Sequence, residues 1–213
     1  MNRIDEIAKM VKSGMVLADI GTDHAFLPIQ LVQTGICPKA YACDITEGPL
    51  AIAKRNISAA GLDGKIKTIL SDGFDQVPKD TQCVVIAGMG GHTIIGILER
   101  AENRLQDLKQ IVVEANNDSD ALRHWISSKG YTITDEVMIH DRNHDYASIS
   151  FTSAPHAPYT EEEQLLGPVL MAKRSPEFIS HCIRMKEKLD MILSHRHDAV
   201  LEKHREWYAA YTK

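Results

Sequence analysis

The sequence lacks several features that would place it elsewhere. No apolar run approaches the roughly eighteen residues that cross a membrane, and the opening "MNRIDEIAKMVKSG" has no apolar block of the secretory kind. Its Ile4, Ile7, Ala8 and Val11 share one helical face instead, so a folded helix, no membrane contact and a cytoplasmic location are expected. Cysteine is scarce. Cys37, Cys43, Cys83 and Cys182 contain no C-x-x-C pair and three sit in apolar stretches, which indicates neither disulfides nor zinc, and no metal is expected. Positive charge is not in excess: the net charge of -5 argues against coating nucleic acid by bulk attraction and leaves room only for a local basic patch.

What is present reads as a folded chain. The 213 residues, 44% hydrophobic and 25% charged, fit one ordinary domain with an appendage. Short apolar runs, "MVLADI" (15–20), "AYACDI" (40–45), "KIKTIL" (65–70), "QCVVIAG" (82–88) and "KQIVVEA" (109–115), alternate with helical stretches at 24–34, 48–61, 91–105 and 117–129. Pro49 opens the second of these helices and Gly61 closes it. Such alternation predicts an α/β fold whose parallel sheet is covered on both faces. "YTITDEVMIH" (131–140) and "YASISFTS" (146–153) are joined only by "DRNHD", too short for a crossover helix, so an antiparallel hairpin should close one edge.

"APHAPYT" (154–160) reads as a linker that divides a body, 1–154, from a helical C-terminal domain, 155–213. A helix at 161–174 should precede a longer one capped by Ser175 and opened by Pro176. Phe178, Cys182, Met185, Leu189 and Ile192 form a heptad seam of about two heptads, which suits a coiled-coil-like hairpin within one chain better than a long dimerising rod, so a monomer is expected.

In open α/β sheets the ligand lies beyond the carboxyl ends of the strands. Three of those ends carry a carboxylate here: Asp19, Asp44 and Asp72. An acid at the end of the second strand, where Asp44 stands, has the placement that grips ribose hydroxyls, which suits NAD, FAD or S-adenosylmethionine. The first turn separates them. A dinucleotide needs G-x-G-x-x-G so that backbone amides receive the pyrophosphate, but in G-T-D-H-A the second glycine is replaced by Asp23, whose charge would repel phosphate. S-adenosylmethionine carries an ammonium and a sulfonium and no phosphate. Asp19 and Asp23 near that end, Asp44 at the ribose and Asp72 beside the adenine amine would make an acidic cradle for it. Each aspartate taken alone also reads as a helix cap or turn former.

The segments "DIGTDHAFLP", "ACDITEGPLAIAKRN", "SDGF" and "IAGMGG", in this order and spacing, resemble the bacterial tRNA (adenine22-N1)-methyltransferase family, as does "LLGPVL" before a helical tail. The resemblance covers nearly the whole chain. It implies a Rossmann-like class I methyltransferase fold, S-adenosylmethionine as donor, and N1 of an adenine in the D-arm region of tRNA as acceptor. By motif it puts Asp19, Gly21 and Asp23 on the first loop, Asp44 and Ile45 at the ribose, Asp72 and Gly73 at the adenine, and Gly88, Met89 and Gly90 on the fourth-strand loop. The chain departs from the family at Phe26, where tyrosine is usual, and at Glu114-Ala115-Asn116, where Gln-Pro-Asn is usual.

The fourth-strand loop A-G-M-G lacks the [DN]-P-P-[YFW] pattern with which many methyltransferases hold an exocyclic amine, and this favours a ring nitrogen as target. N1 of neutral adenine bears a lone pair and no proton, so it can attack the methyl group without a general base, and catalysis becomes positioning and electrostatics. Asp23, His24 and Asn116 are the candidate catalytic residues, with Phe26 and Met89 as walls for a flipped base. His92 reads as structural, and His195, His197 and His204 as surface residues of a helix. Lys173, Arg174, Arg184, Lys186, Lys188 and Arg196 could meet tRNA phosphates, although nine acidic residues accompany the nine Lys and Arg residues of 156–213. The alternatives are a small-molecule methyltransferase with the tail as lid, a non-enzymatic interaction module on the same sheet, and, last, an NAD oxidoreductase.

Overall fold

A computed structural model describes residues 3–213. The opening helix α1 spans Arg3–Met10, and Met1 and Asn2 lie outside the described residues. The apolar runs become β1 (Leu17–Ile20), β2 (Ala40–Asp44), β3 (Ile66–Leu70), β4 (Cys83–Met89) and β5 (Gln110–Ala115). Helices α2 (Phe26–Gln33), α3 (Glu47–Ala59), α4 (Gly91–Arg100), α5 (Glu102–Leu105) and α6 (Ser119–Ser128) fill the intervals, and β6 (Tyr131–Asp141) and β7 (His144–Pro155) follow. The sheet order is β3-β2-β1-β4-β5-β7-β6, with β1 to β5 parallel, β7 antiparallel to β5, and β6 antiparallel to β7. This is the expected parallel sheet with its edge hairpin.

The central strands are buried on both faces, which is why they appear as continuous apolar runs rather than alternating ones. On one face Ile20, Ile86, Val113 and Phe151 pack with Ile94, Leu98, Leu122 and Trp125. On the other Leu17, Val85 and Val112 pack with Ile7, Leu27, Leu31 and Ile57.

Several boundaries differ from the sequence expectation, each for a local reason. The stretch 91–105 is two helices, broken at Ala101. The hairpin turn is only Arg142 and Asn143, with Arg142 at φ +56°, because pairing runs out to Asp141 and His144. The segment 154–160 is not a loose linker: β7 extends through Pro155, and the buried Tyr159 hydroxyl accepts a hydrogen bond from Ile133 N at 2.9 Å. The stretch 161–174 breaks at Gly167 (φ +96°) into α7 (Glu161–Leu166) and α8 (Pro168–Lys173).

The Ser175 cap and Pro176 start appear as expected on α9 (Pro176–Leu193), and α10 (Ala199–Ala209) completes the tail. Phe178, Cys182 and Leu189 of the seam are buried with Leu166, Leu170 and Tyr208, and this cluster includes Met138 and Ala147 of the hairpin. His195 and His197 lie in the break between α9 and α10, not on a helix, and His204 stacks on Trp207.

The tail is also fixed to the body by charge. Arg123 of α6 and Glu136 of β6, both essentially inaccessible, pair at 2.6 Å. Arg123 donates to the Leu165 carbonyl at 3.1 Å, and Glu136 accepts from Val169 N at 2.9 Å. Gly167 passes so close that a Cβ there would stand 2.8 Å from both Glu136 oxygens.

Candidate active site

At the end of β1 the chain turns sharply. Gly21 adopts φ +79°, and the amides of Gly21 and Thr22 both donate to the Cys43 carbonyl at 2.8 and 3.0 Å, which ties the turn to β2. Asp23 and Ala25 follow at φ +48° and +59°. A left-handed conformation costs a residue with a Cβ roughly 1–2 kcal/mol, and two so close together mark a loop held for a purpose.

Two cavities open on either side of this turn, and Gly21 lines both. One, of about 400 Å³, is bounded by Asp44, Ile45, Asp72, Gly73, Met89 and His92. The other, of about 320 Å³, is bounded by Asp19, Asp23, His24, Phe26, Gly88 and Glu114. The acidic cradle read from the sequence is therefore divided, with Asp44 and Asp72 in one lobe and Asp19 and Asp23 in the other. The thioether end of Met89 closes over Gly21, 2.2 Å from where a Cβ would stand.

The individual positions have different environments. Asp44 is oriented by Thr46, whose amide and hydroxyl donate to Oδ1 at 3.0 and 2.9 Å. Ile45 is 62% exposed, an apolar platform at the rim. Asp72 pairs with Arg100 at 3.0 Å, a partner the sequence reading did not anticipate. Gly73 takes φ +55° beside Ile97. Gly90 caps α4 and lines neither cavity, whereas His92, read from the sequence as structural, lines the first.

In the second lobe Asp19 is buried, and its carboxyl is pushed up to about 6. Burial is the main cause, the nearby charge of Asp44 adds to it, and the Thr22 hydroxyl only partly offsets it. His24 pairs with Asp23 at 3.3 Å and stacks on Phe26 with ring centroids 5.2 Å apart. Asn116 donates to the Gly88 carbonyl at 2.7 Å, which fixes the β4 end against the β5 end.

Sequence reasoning missed Arg3 and Tyr146, and quoted Glu114 only as a departure from a family pattern. The guanidinium of Arg3 lies 3.2 Å from Glu114 and 4.5 Å above the Tyr146 ring. An acid inside the apolar run "KQIVVEA" was the available signal for Glu114; nothing local marks Arg3 or Tyr146.

These residues fit S-adenosylmethionine. A desolvated carboxylate with a raised pKa seeks a cation, an anchored carboxylate at the end of β2 suits a ribose, and a side-chain-free position at Gly21 lets a ligand pass between the lobes. Gly21→Ala is expected to weaken cofactor binding at least about tenfold by calorimetry, because the new methyl group meets left-handed strain and drives Met89 into the passage. An unchanged affinity would mean that the ligand does not cross this turn.

Most tail cations already have partners. Lys173 is bound to Asp135, Arg184 to Asp145, Lys186 to Asp190 and Arg196 to Asp198, and Arg174 lies over the Tyr211 ring. These pairs lie at the surface, where each cation shares its acid partner with solvent.

Comparison with known proteins agrees with this geometry. The profile of a methyltransferase domain matches residues 1–149. The tRNA (adenine(22)-N(1))-methyltransferase of Bacillus subtilis (strain 168) is 30% identical over 192 residues, which cover 83% of this chain and 77% of the relative. A Streptococcus pneumoniae protein solved in complex with S-adenosyl-L-methionine superimposes with a TM-score of 0.90 at 31% identity, covering 99% of this chain and 98% of that one. M. capricolum TrmK in complex with S-adenosyl-homocysteine gives 0.85 at 31% identity, covering 100% and 97%.

Proposed function

Because the chain belongs to the tRNA (adenine22-N1)-methyltransferase family, we propose that it transfers the methyl group of S-adenosylmethionine to N1 of adenine 22 in the D-arm region of tRNA. The observation that carries the reading is the pair of cavities meeting at Gly21, one with the ribose-type acid Asp44, the other with the buried acid Asp19.

The cofactor supplies an electrophilic methyl group on a positively charged sulfur. Asp19 holds its ammonium end, Asp44 its ribose hydroxyls, and Ile45, Gly73 and Met89 bound its base, while the peptide of Gly21 separates the lobes. Asp72, exposed and paired with Arg100, takes the amino edge of that base by exchanging one partner for another. On the acceptor side the N1 lone pair forms the new N–C bond as the C–S bond breaks and its electron pair returns to sulfur. No proton needs to leave the ring nitrogen, so the residues around it act by position and charge. Asp23 stands beside the developing cation, His24 and Phe26 form a stacked wall, and Asn116 fixes the Gly88 loop.

The body, 1–154, carries this chemistry, and the helical domain, 155–213, extends the surface offered to RNA. Phe178, Cys182 and Leu189 of its seam are buried within the chain, partly against the hairpin, which supports a monomer. Cytoplasmic tRNA is the accessible substrate.

The reading is tested by methyl transfer from labelled S-adenosylmethionine to unmodified bulk tRNA, followed by nucleoside analysis. Label in 1-methyladenosine is expected. Cofactor binding without any transfer to tRNA would redirect the assignment to a small-molecule acceptor.

A further inference from the structure

Glu114 is a carboxylate with no ordinary reason to be where it is. It is fully buried near the end of β5, and among the described residues neither oxygen receives an aligned hydrogen bond. Burial raises its pKa, and the charge of Arg3 opposes the shift. Its charge partner Arg3 is itself part-exposed and lies 3.2 Å away without an aligned hydrogen bond, so the hydrogen-bonding capacity of both buried oxygens is left for a ligand.

The sheet register shows where it points. Asp19 of β1 is level with Val85 of β4, and Glu114 is level with Ala87, two residues further along the same strand. Side chains alternate between faces, so Asp19 and Glu114 stand on one face, two strands and about 12 Å apart. Both line the second cavity, whose roof is α1.

The guanidinium of Arg3 shows what this corner accepts. A flat cation bearing N–H groups stacks 4.5 Å from the Tyr146 centroid, with Nε 3.2 Å from Glu114 and Nη1 3.4 Å from Asn116 Oδ1. Methylation at N1 turns adenine into a flat cation whose charge is shared between N1 and the N6 amino group. Arg3 has the same chemical outline.

We propose that Glu114, Asn116 and Tyr146 form the acceptor-base subsite, in which Arg3 yields its place to the adenine and Glu114 accepts a hydrogen bond from N6 and stabilises the charge that methylation creates. Tyr146 supplies the stacking face. The N1–C bond forms and the C–S bond breaks as above, and Glu114 takes no proton. Its stabilisation is stronger in the transition state than in the neutral ground state, which is the condition for acceleration.

The inference rests on the tRNA reading, and its test separates the two. Wild-type enzyme, Glu114→Gln and Glu114→Ala are compared on a tRNA transcript with adenine at the acceptor position and on one with purine there, which lacks N6. With adenine, kcat is expected to fall about tenfold for Gln, which keeps an acceptor and loses the charge, and about a hundredfold for Ala, while the calorimetric affinity for S-adenosylmethionine stays within about twofold. Removing N6 should slow the wild-type enzyme much more than Glu114→Ala; any change in N1 basicity acts on both and cancels. Should Glu114→Ala fail to bind cofactor, the isosteric Gln variant decides, with a several-fold smaller N6 effect than wild type. Equal N6 effects in wild type and variant, or an undiminished kcat, would overturn the subsite while leaving the tRNA assignment intact. Absence of methylation by the wild type on the adenine transcript would overturn both.

Discussion

Asp19→Asn is expected to give a protein that is more stable and binds its cofactor far more weakly. The carboxyl of Asp19 titrates near 6 when folded, against 3.8 for the free group. Between those values the folded state holds a proton that the unfolded state has lost. Stability therefore falls as pH rises through this window, and above it the cost is constant at up to about 3 kcal/mol. Asparagine removes the charge and keeps the shape, so the cofactor-free variant should melt a few degrees higher than wild type at pH 7.5, and the difference should vanish near pH 4.

Binding moves the other way. Losing the carboxylate that faces the ammonium costs roughly 2–5 kcal/mol, a rise of at least about 30-fold in the dissociation constant. In the wild type, affinity should fall about tenfold per pH unit below 6, because the cation must then displace a proton from Asp19. Thermal melts across pH 4 to 8 and calorimetry across pH 5 to 8 check the two parts. A variant that binds as wild type does would place the ammonium elsewhere.

The second large effect lies far from the chemistry. Glu136→Gln should destabilise the chain by about 3–5 kcal/mol and lower its melting temperature by about 10 °C, since it leaves Arg123 charged and inaccessible. Loss of the carboxylate also weakens the acceptor of Val169 N at the start of α8. The double variant Arg123→Met/Glu136→Leu should recover most of the loss, because an apolar pair of similar volume needs no compensating charge. Chemical denaturation measures both. A single variant within about 1 kcal/mol of wild type would show that water reaches the pair.

The two sites illustrate what a sequence makes legible. Strands β1, β2, β4 and β5 were visible because burial leaves nearly uninterrupted apolar runs, the edge strand β3 because its spacing continues the strand–helix alternation, and the hairpin because "DRNHD" cannot hold a crossover. The ends of elements were less visible: Gly167-Pro168 is a local break signal inside a run read as one helix, whereas Ala101, at φ −106°, breaks its helix with no such residue beside it. Asp19, Asp23 and Asp44 were legible as candidates from position, as they lie at or just beyond the carboxyl ends of β1 and β2. The division into two lobes was not, because it depends on Met89 reaching across to Gly21 from a different strand. Arg3 and Tyr146 come from opposite ends of the body and meet only through the β5–β7 pairing and the packing of α1. The matching number of acids in the tail was legible too, but not which acid pairs with which cation, since Lys173 and Arg184 find Asp135 and Asp145 on the hairpin only in the folded chain.

The measurement that tests the central claim most directly is primer extension on a tRNA transcript treated with the enzyme and S-adenosylmethionine. A methyl group on N1 blocks the Watson–Crick edge, so reverse transcription is expected to stop next to nucleotide 22, and to read through when that adenine is replaced by guanine or when Asp19→Asn is the enzyme. A methylated tRNA that is copied through position 22 without a stop would contradict the assignment of N1 of adenine 22 as the acceptor.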